Sequence, residues 1–570
     1  MKKIYKVLSL LGFMAIVMSC DLSKDLNSPN DVGVSAADPD LLMNKVQTDF
    51  ALLHAKVDGD HNILTSGVNQ LVRFKAMTRD DVYSRAYRPQ DFDEIWKDAY
   101  QKVLINIETL IPIAEEKQLN VHVGVAKVIK ALTYITLVDV FGDVPFTEAL
   151  KGSEGNFNPK VDGGESIYTA AVLLLEEARA SFANNAGLGL TRDIYYNGNR
   201  VLWTTLANSI ELKAQLNLTA DPGTSAMKTA AMSRISALVT ANDLIDTDAE
   251  EFTYKWGTAS VPAISRNPTY QEYYGLNPGA AGGDIGIKFM AEMYRGLGVQ
   301  DPRWRYYFYR QVGSKVAALA TDANAIGCNN VPPPPHYIAG NEPYCFVEPG
   351  FFGRNHMDKS GKNPDSNALT CVGAYPYGGL IDINDGDPNF SNQVKQGDGG
   401  NGAGIENIYM SWFTDFMKVE AILRLNMTSI GDARALMLSG VNKSINRTRS
   451  FANSLGQVLP TGLEPSPVSY ASKLGGNYDL AANSSDKLEI AMKEYYKSLW
   501  GNGIEAYNLY RRTGSPKDLQ PSVINNNNPG VFLYSLIYPS NFATLNSSAT
   551  QKNPEVANRV FWDKTGLTLK

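Results

Sequence analysis

The sequence predicts a mainly α protein with little β structure: two helical stretches, 40–241 and 405–515, flank a long irregular one, 242–404. Three observations predict it. The stretch Val121–Leu150 opens with a helix that is apolar nearly all round. Apolar residues spaced three and four apart recur on both sides of the chain's middle, as a buried helix face requires. From Asn242 to Gly404 that spacing largely fails, and glycine, proline, asparagine and aromatic residues replace it.

Taken in order, the chain begins with Lys2, Lys3 and Lys6 ahead of an apolar run from Val7 to Val17. The run is too short to span a bilayer, which takes about 20 apolar residues. It has the basic and apolar regions of a secretory signal. It ends Val17-Met18-Ser19-Cys20, and a cysteine at the cleavage point marks a bacterial lipoprotein signal, whose thiol is acylated and becomes the new N-terminus. Val17 and Ser19 suit that motif; Met18 is bulkier than usual. Residues 1–19 are read as the signal peptide and 20–39 as a lipidated tether, with Cys20 anchoring the chain to a membrane.

The first helix is expected over Asp40–Leu53, with Leu41, Leu42, Val46 and Phe50 on one side, and the next over Asp91–Ile111. In the apolar helix the only charges between Val125 and Val140 are Lys127, Lys130 and Asp139. Such a helix sits inside other helices rather than on one face of them. Gly142 can take a left-handed C-terminal conformation, and Pro145 forbids a further turn. Helices then follow at Glu165–Ala180, Val201–Leu218 and Thr224–Val239. They run in pairs joined by short turns, and such pairs bury their faces only by stacking.

The middle is too aromatic for a disordered linker. Phe252, Tyr254, Trp256, Tyr270, Tyr273, Tyr274, Tyr307, Phe308, Tyr309, Tyr344, Phe351, Phe352, Tyr375 and Tyr377 all lie in it. It is read as ordered loops laid over the helices. Flat rings stack on the apolar faces of sugars, and fixed polar groups beside them pair with hydroxyls. Two clusters have that make-up: Arg266–Tyr274, and Phe351–Asp358 with Tyr375–Gly379. The candidate ligand contacts are Trp256, Tyr270, Tyr273, Arg354, His356, Tyr375 and Tyr377. The plainer reading of each ring is loop core, and of His356 a hydrogen-bonded structural histidine. Asp382–Asp387 offers oxygen ligands, but its register is wrong for a calcium loop and it is read as an acidic turn. Gly397–Gly404 is glycine-rich without the Gly-Lys-Ser/Thr of a phosphate cradle, and is read as a flexible loop.

Helices return at Ile408–Leu425. Asp432 is a natural N-cap for the next one, and Asp486 with Glu489 resembles a capping box. A last short helix is expected to end at Gly514, with Pro516 beyond it.

Composition is that of a globular protein, 44% hydrophobic and 20% charged, with a formal net charge of −6. A mildly acidic chain with no basic cluster is a poor partner for nucleic acid. Cys328, Cys345 and Cys371 remain in an exported chain, where one disulfide is expected. Three pairings are open; no CxxC spacing indicates zinc, and no cofactor is called for.

Several wordings carry a family resemblance. Asn27-Ser28-Pro29-Asn30 follows the leader. Phe141-Gly142-Asp143-Val144-Pro145-Phe146 follows the apolar helix. Arg354-Asn355-His356-Met357-Asp358 precedes Tyr375-Pro376-Tyr377-Gly378-Gly379, and the run Trp500–Gly514 closes the helical part. Together they resemble the SusD/RagB family of outer-membrane nutrient-binding lipoproteins, most closely its SusD-like_2 branch. The resemblance implies tetratricopeptide-like helix pairs as scaffold and a single SusD-like α domain over 40–570. It also implies a place on the outside of the outer membrane, and a SusC-like TonB-dependent transporter as partner, to which a bound glycan or oligopeptide is delivered. No HExxH, GxSxG or Cys/His nucleophile wording is present, and the chain is read as a binding protein. The alternatives are a surface hydrolase of the same nutrients and a structural lid that touches no ligand.

Overall fold

The computed structural model describes residues 37–58, 67–184, 187–261, 265–275, 285–321, 328, 331–359, 368–524 and 528–569. The leader, Cys20 and the tether up to residue 36 lie outside them.

The first helical stretch holds α1 (Pro39–Asp58), α2 (Asp93–Asp98), α3 (Ile105–Glu116), α4 (Asn120–Phe141), α5 (Gly164–Ala183), α6 (Arg200–Leu218) and α7 (Ala226–Ala241). From α3 to α7 each helix packs on the next, and α1 covers α3 and α4. The helix expected over Asp91–Ile111 is divided. A 3₁₀ turn, Pro89–Phe92, leads into α2, and a π turn, Ala99–Leu104, joins α2 to α3. Tyr100, Val103 and Leu104 remain buried through the π turn, so apolar spacing alone does not show where the hydrogen-bond register widens.

The central helix is α4. It is long and apolar enough to cross a bilayer, yet its most apolar window is 89% buried among neighbouring segments. Gly142 ends it at φ +75°, with its N–H bonded 2.8 Å to the Val138 carbonyl. The next segment is pinned by Asp162, whose carboxylate accepts from the backbone N–H groups of Phe146 (2.9 Å) and Thr147 (2.8 Å).

In the middle the longest helix among the described residues is α8 (Ile287–Arg295). The strands are short: β1 (Phe252–Lys255), β2 (Phe308–Tyr309), β3 (Phe346–Val347), β4 (Phe351–Phe352), β5 (Cys371–Val372) and β6 (Ile405–Tyr409). They pair antiparallel as β1–β6, β2–β5 and β3–β4. The β1–β6 ribbon seams the middle to the second helical stretch. It also corrects the helix expected from Ile408: Ile405–Tyr409 is strand, and α9 (Ser411–Leu425) begins after it. Asp432 caps α10 (Ala433–Ser454) as expected, accepting from Ala435 N–H at 2.7 Å. The helix α11 (Pro467–Leu480) is an addition to the sequence reading. The cap of α12 (Ser484–Ser498) is Asn483 rather than an Asp486/Glu489 box, and it bonds Asp486 N–H at 3.0 Å. Asn502 and Gly514 bound α13 (Gly503–Thr513), and α14 (Ser540–Leu545) lies in the C-terminal tail.

One apolar core runs from Met43 to Leu569 and takes in most rings of the middle. The Gly397–Gly404 segment is a close-packed turn rather than a flexible loop. A Cβ on Gly399, at φ +65°, would lie 2.1 Å from the Gly379 carbonyl oxygen. Of the three open pairings the structure adopts Cys328–Cys345, with Cα atoms 5.8 Å apart. Cys371 is free and buried, and burial pushes its thiol pKa well up.

Asp139 lies at the junction of α4, α5, α6, α13 and the tail. Its carboxylate accepts from Tyr168 Oη, from Asn508 Nδ2 (2.7 Å) and from Trp562 Nε1 (2.9 Å). Its carbonyl accepts from Arg511 at 2.7 Å. Asp139→Ala is therefore expected to cost about 3–5 kcal/mol, because it strands buried donors and leaves the Arg511 charge poorly compensated; urea denaturation followed by circular dichroism measures it. Cys345→Ser is expected to cost about 3 kcal/mol under oxidising conditions and nothing in excess reductant, read from the same denaturation curves.

Candidate functional site

The side chains singled out as ligand contacts are mostly inside the protein. Tyr270 is fully buried; it stacks on Tyr274 with ring centroids 4.5 Å apart and donates to the Asp398 carbonyl at 2.9 Å. Tyr273 beside it is also buried. Trp256 meets Tyr254 edge-on at 4.9 Å and retains 8% exposure. Tyr375 stacks on Tyr307 at 5.7 Å, and Tyr377 meets Trp500 edge-on at 5.6 Å. His356 is buried, its Nε2 3.3 Å from the Tyr83 hydroxyl. Burial, with the nearby Arg73 charge, holds its pKa well below the ordinary value, so the ring is neutral. Arg354 alone of the seven is half-buried, and its backbone bonds Ile285 and Ile287.

These residues do not form one surface. Tyr377 directly, and Tyr375 through Tyr307, knit the middle to Trp500; His356 packs against the Tyr83 turn, and Tyr270 packs beneath the glycine turn. The physical reason is the shortage of helix in the middle: without a helical face to bury, the rings themselves supply the apolar contact that seats those loops. Of the acidic turn, Asp382 is internal and accepts from Arg310 Nε at 2.6 Å and Nη2 at 2.8 Å, whereas Asp385 and Asp387 are exposed.

An accessible cleft lies elsewhere, between α2 with its π turn, the segment 145–159, and Pro539 with α14. It encloses about 390 Å³, within the usual range for ligand sites. Trp96 forms its floor. The indole packs edge-on against Phe141 at 5.2 Å and lies 4.6 Å from Phe542 and 5.1 Å from Tyr100. On the rim Phe157 and Leu545 are each 76% exposed.

Hydrogen bonds fix the three walls to one another. Tyr100 Oη donates to the Pro145 carbonyl (2.8 Å), Asn541 N–H to Asp93 Oδ1 (2.8 Å), and Asn546 Nδ2 to the Pro159 carbonyl (2.8 Å). Burial holds the Tyr100 hydroxyl well above its ordinary pKa, so it is a neutral donor. Burial opposes ionisation of Glu94, but the Lys97 hydrogen bond at 3.2 Å and the Lys56 and Lys97 charges outweigh it and lower the pKa. The side-chain amides of Gln101 and Asn541 line the cleft and make no hydrogen bond among the described residues.

Sequence reasoning passed over this cleft. Trp96 reads as one more apolar position in a helix. The available signal was Asn156-Phe157-Asn158-Pro159, a lone phenylalanine in a polar turn beginning ten positions after Phe146.

The fold is a scaffold of stacked helix hairpins of the SusD kind. A SusD-like protein of Bacteroidetes AC2a superposes with a TM-score of 0.63 at 16% identity, over 92% of this chain and all of the other. A chitin-binding protein matches with a TM-score of 0.63 at 17% identity, over 92% of this chain and all of its own. A SusD/RagB family protein from Bacteroides thetaiotaomicron VPI-5482 matches equally well at 17% identity, over 92% and 99%. No curated protein sequence matches the chain. The chain belongs to the SusD-like_2 family, described as starch-binding and associating with the outer membrane, whose model matches residues 29–332.

Acidification tests the neutral His356. An unfolded histidine binds a proton below about pH 6.5, whereas the buried one resists it, so the folded state loses ground as pH falls through that value. The His356→Asn variant is expected to lose that part of the fall in urea midpoint between pH 7 and 5.5. In an NMR titration of the wild type, the His356 ring is expected to stay neutral down to pH 5.5.

Proposed function

We propose that this protein is a lipid-anchored receptor on the outside of the outer membrane. It binds a nutrient, glycan or oligopeptide, and delivers it to a SusC-like TonB-dependent transporter. The observation that carries this reading is family membership: a model described as starch-binding and outer-membrane-associated matches residues 29–332. The lipoprotein wording ending at Cys20 supports the anchor, and the shared fold of a chitin-binding protein supports a glycan as ligand. In this reading 1–19 is removed, 20–39 tethers, and 40–570 acts as one domain. Trp256, Tyr270, Tyr273, His356, Tyr375 and Tyr377 enter it as supports that stiffen the loops. Arg354, half-buried, is the one of the seven retained as a direct contact.

In its native host the wild-type protein is expected in the outer-membrane fraction, and Cys20→Ala in the soluble fraction. Detergent extraction is expected to co-purify a large β-barrel protein with the wild type. Calorimetry over a panel of oligosaccharides and peptides is expected to find at least one ligand. A protein with no ligand in the panel and no barrel partner would sink the reading.

A further inference from the structure

We infer that the cleft built on Trp96 is a binding site for a neutral glycan. This rests on the nutrient-binding reading and adds a place and a ligand class to it. Three features decide the class.

The first is the pairing of ring and amide. Phe157 presents its ring to water at 76% exposure in a cleft also lined by Trp96 and Phe542, whose rings pack 4.6 Å apart. Exposed apolar side chains grouped beside a cleft, here Phe157 with Leu545, mark contact surface where scattered single ones do not. The CH faces of a pyranose suit such rings. The cleft is also lined by Gln101 and Asn541, whose side-chain amides each have donors and an acceptor and no protein partner among the described residues. An amide of this kind serves adjacent hydroxyls, which also donate and accept.

The second is charge. The cleft is lined by two acids, Asp93 and Glu94, and two bases, Lys97 and Lys151. Glu94 is already paired to Lys97, and Asp93 accepts from the Asn541 backbone. The charges cancel, so neither a phosphorylated ligand nor a strongly basic or acidic peptide is favoured.

The third is the backbone. Among the described residues no strand lies in the cleft walls. An extended peptide that docks by adding a strand has no edge to pair with here. The walls do not depend on the ligand, because the Pro145, Asp93 and Pro159 hydrogen bonds hold them.

The test uses the mature full-length protein with Phe157→Ala and Gln101→Ala, both solvent-facing positions that leave the core intact, and a control, Leu480→Ala, on the far helix α11. Maltoheptaose and chitohexaose are titrated by calorimetry, with a neutral and a charged peptide beside them. The expected result is that the wild type binds at least one of the two sugars. Each cleft variant should weaken that binding by about tenfold, and the control should not. Equal sugar binding by wild type and both variants would overturn the cleft assignment while leaving the nutrient reading intact. A wild type that binds none of the four probes and takes up no barrel partner would end both. Loss of peptide binding in the variants, with sugars inert, would overturn the glycan class. Loss of barrel co-purification with sugar binding unchanged would make the cleft a protein-docking face and overturn the proposal.

Discussion

Asp139 sits with no exposed surface at the end of the central helix, and four other parts of the chain meet at its oxygens. Tyr168 comes from α5, Asn217 from α6, Asn508 and Arg511 from α13, and Trp562 from the tail. Burial drives its carboxyl pKa up, while the Lys213 and Arg511 charges and the Tyr168 and Trp562 hydrogen bonds pull it down. A buried acid is costly unless each lone pair is used. Here the partners are drawn from positions up to 423 residues apart. The two ends of the chain must therefore be folded together before all of these bonds are satisfied, for Asn508, Arg511 and Trp562 come from the far end.

A second buried network fixes the other side of α13. Arg512 reaches Glu420 of α9 at 3.0 Å, Glu505 at 3.0 Å, and Asn217 of α6 at 2.7 Å. Arg511 stacks 3.7 Å over the Tyr507 ring. Bidentate, planar arginine suits such crowded sites better than lysine. The Trp500–Gly514 run is thus a clamp between the helical halves, and its two arginines, in the last turn of α13, are buried in the interior.

With the frame held in this way, the irregular middle has little freedom. Trp500 lies within 5.3–6.1 Å of Phe289, Phe308, Tyr307 and Tyr377. Rings that could grip a sugar are committed to seating loops. Exposed aromatic surface falls instead to the cleft at α2 and α14, where the tail returns over the first helical stretch. The cleft is held in shape by packing, for Trp96 is positioned by Phe141 and Tyr538.

Helical content, the apolar α4 with its Gly142 stop, the Asp432 cap and the helix ending at Gly514 follow from residue spacing and local chemistry, and each was legible in the chain. Local rules reach a few residues, so they also carried the family wording at Phe141–Phe146 and Trp500–Gly514. They could not separate a ring that grips a ligand from one that fills a core. Tyr375 and Phe157 are both aromatic residues beside prolines or polar turns, yet one is fully buried and the other 76% exposed. The difference comes from what lies across the fold: Tyr307 and Phe451 cover Tyr375, whereas among the described residues nothing closes over Phe157. The strand at Ile405–Tyr409, the choice of Cys328–Cys345, and the cleft between residues 93–101, 145–159 and 539–546 depend likewise on partners remote in sequence. Burial is a property of the assembled chain, and long-range contact, not residue type, sets it.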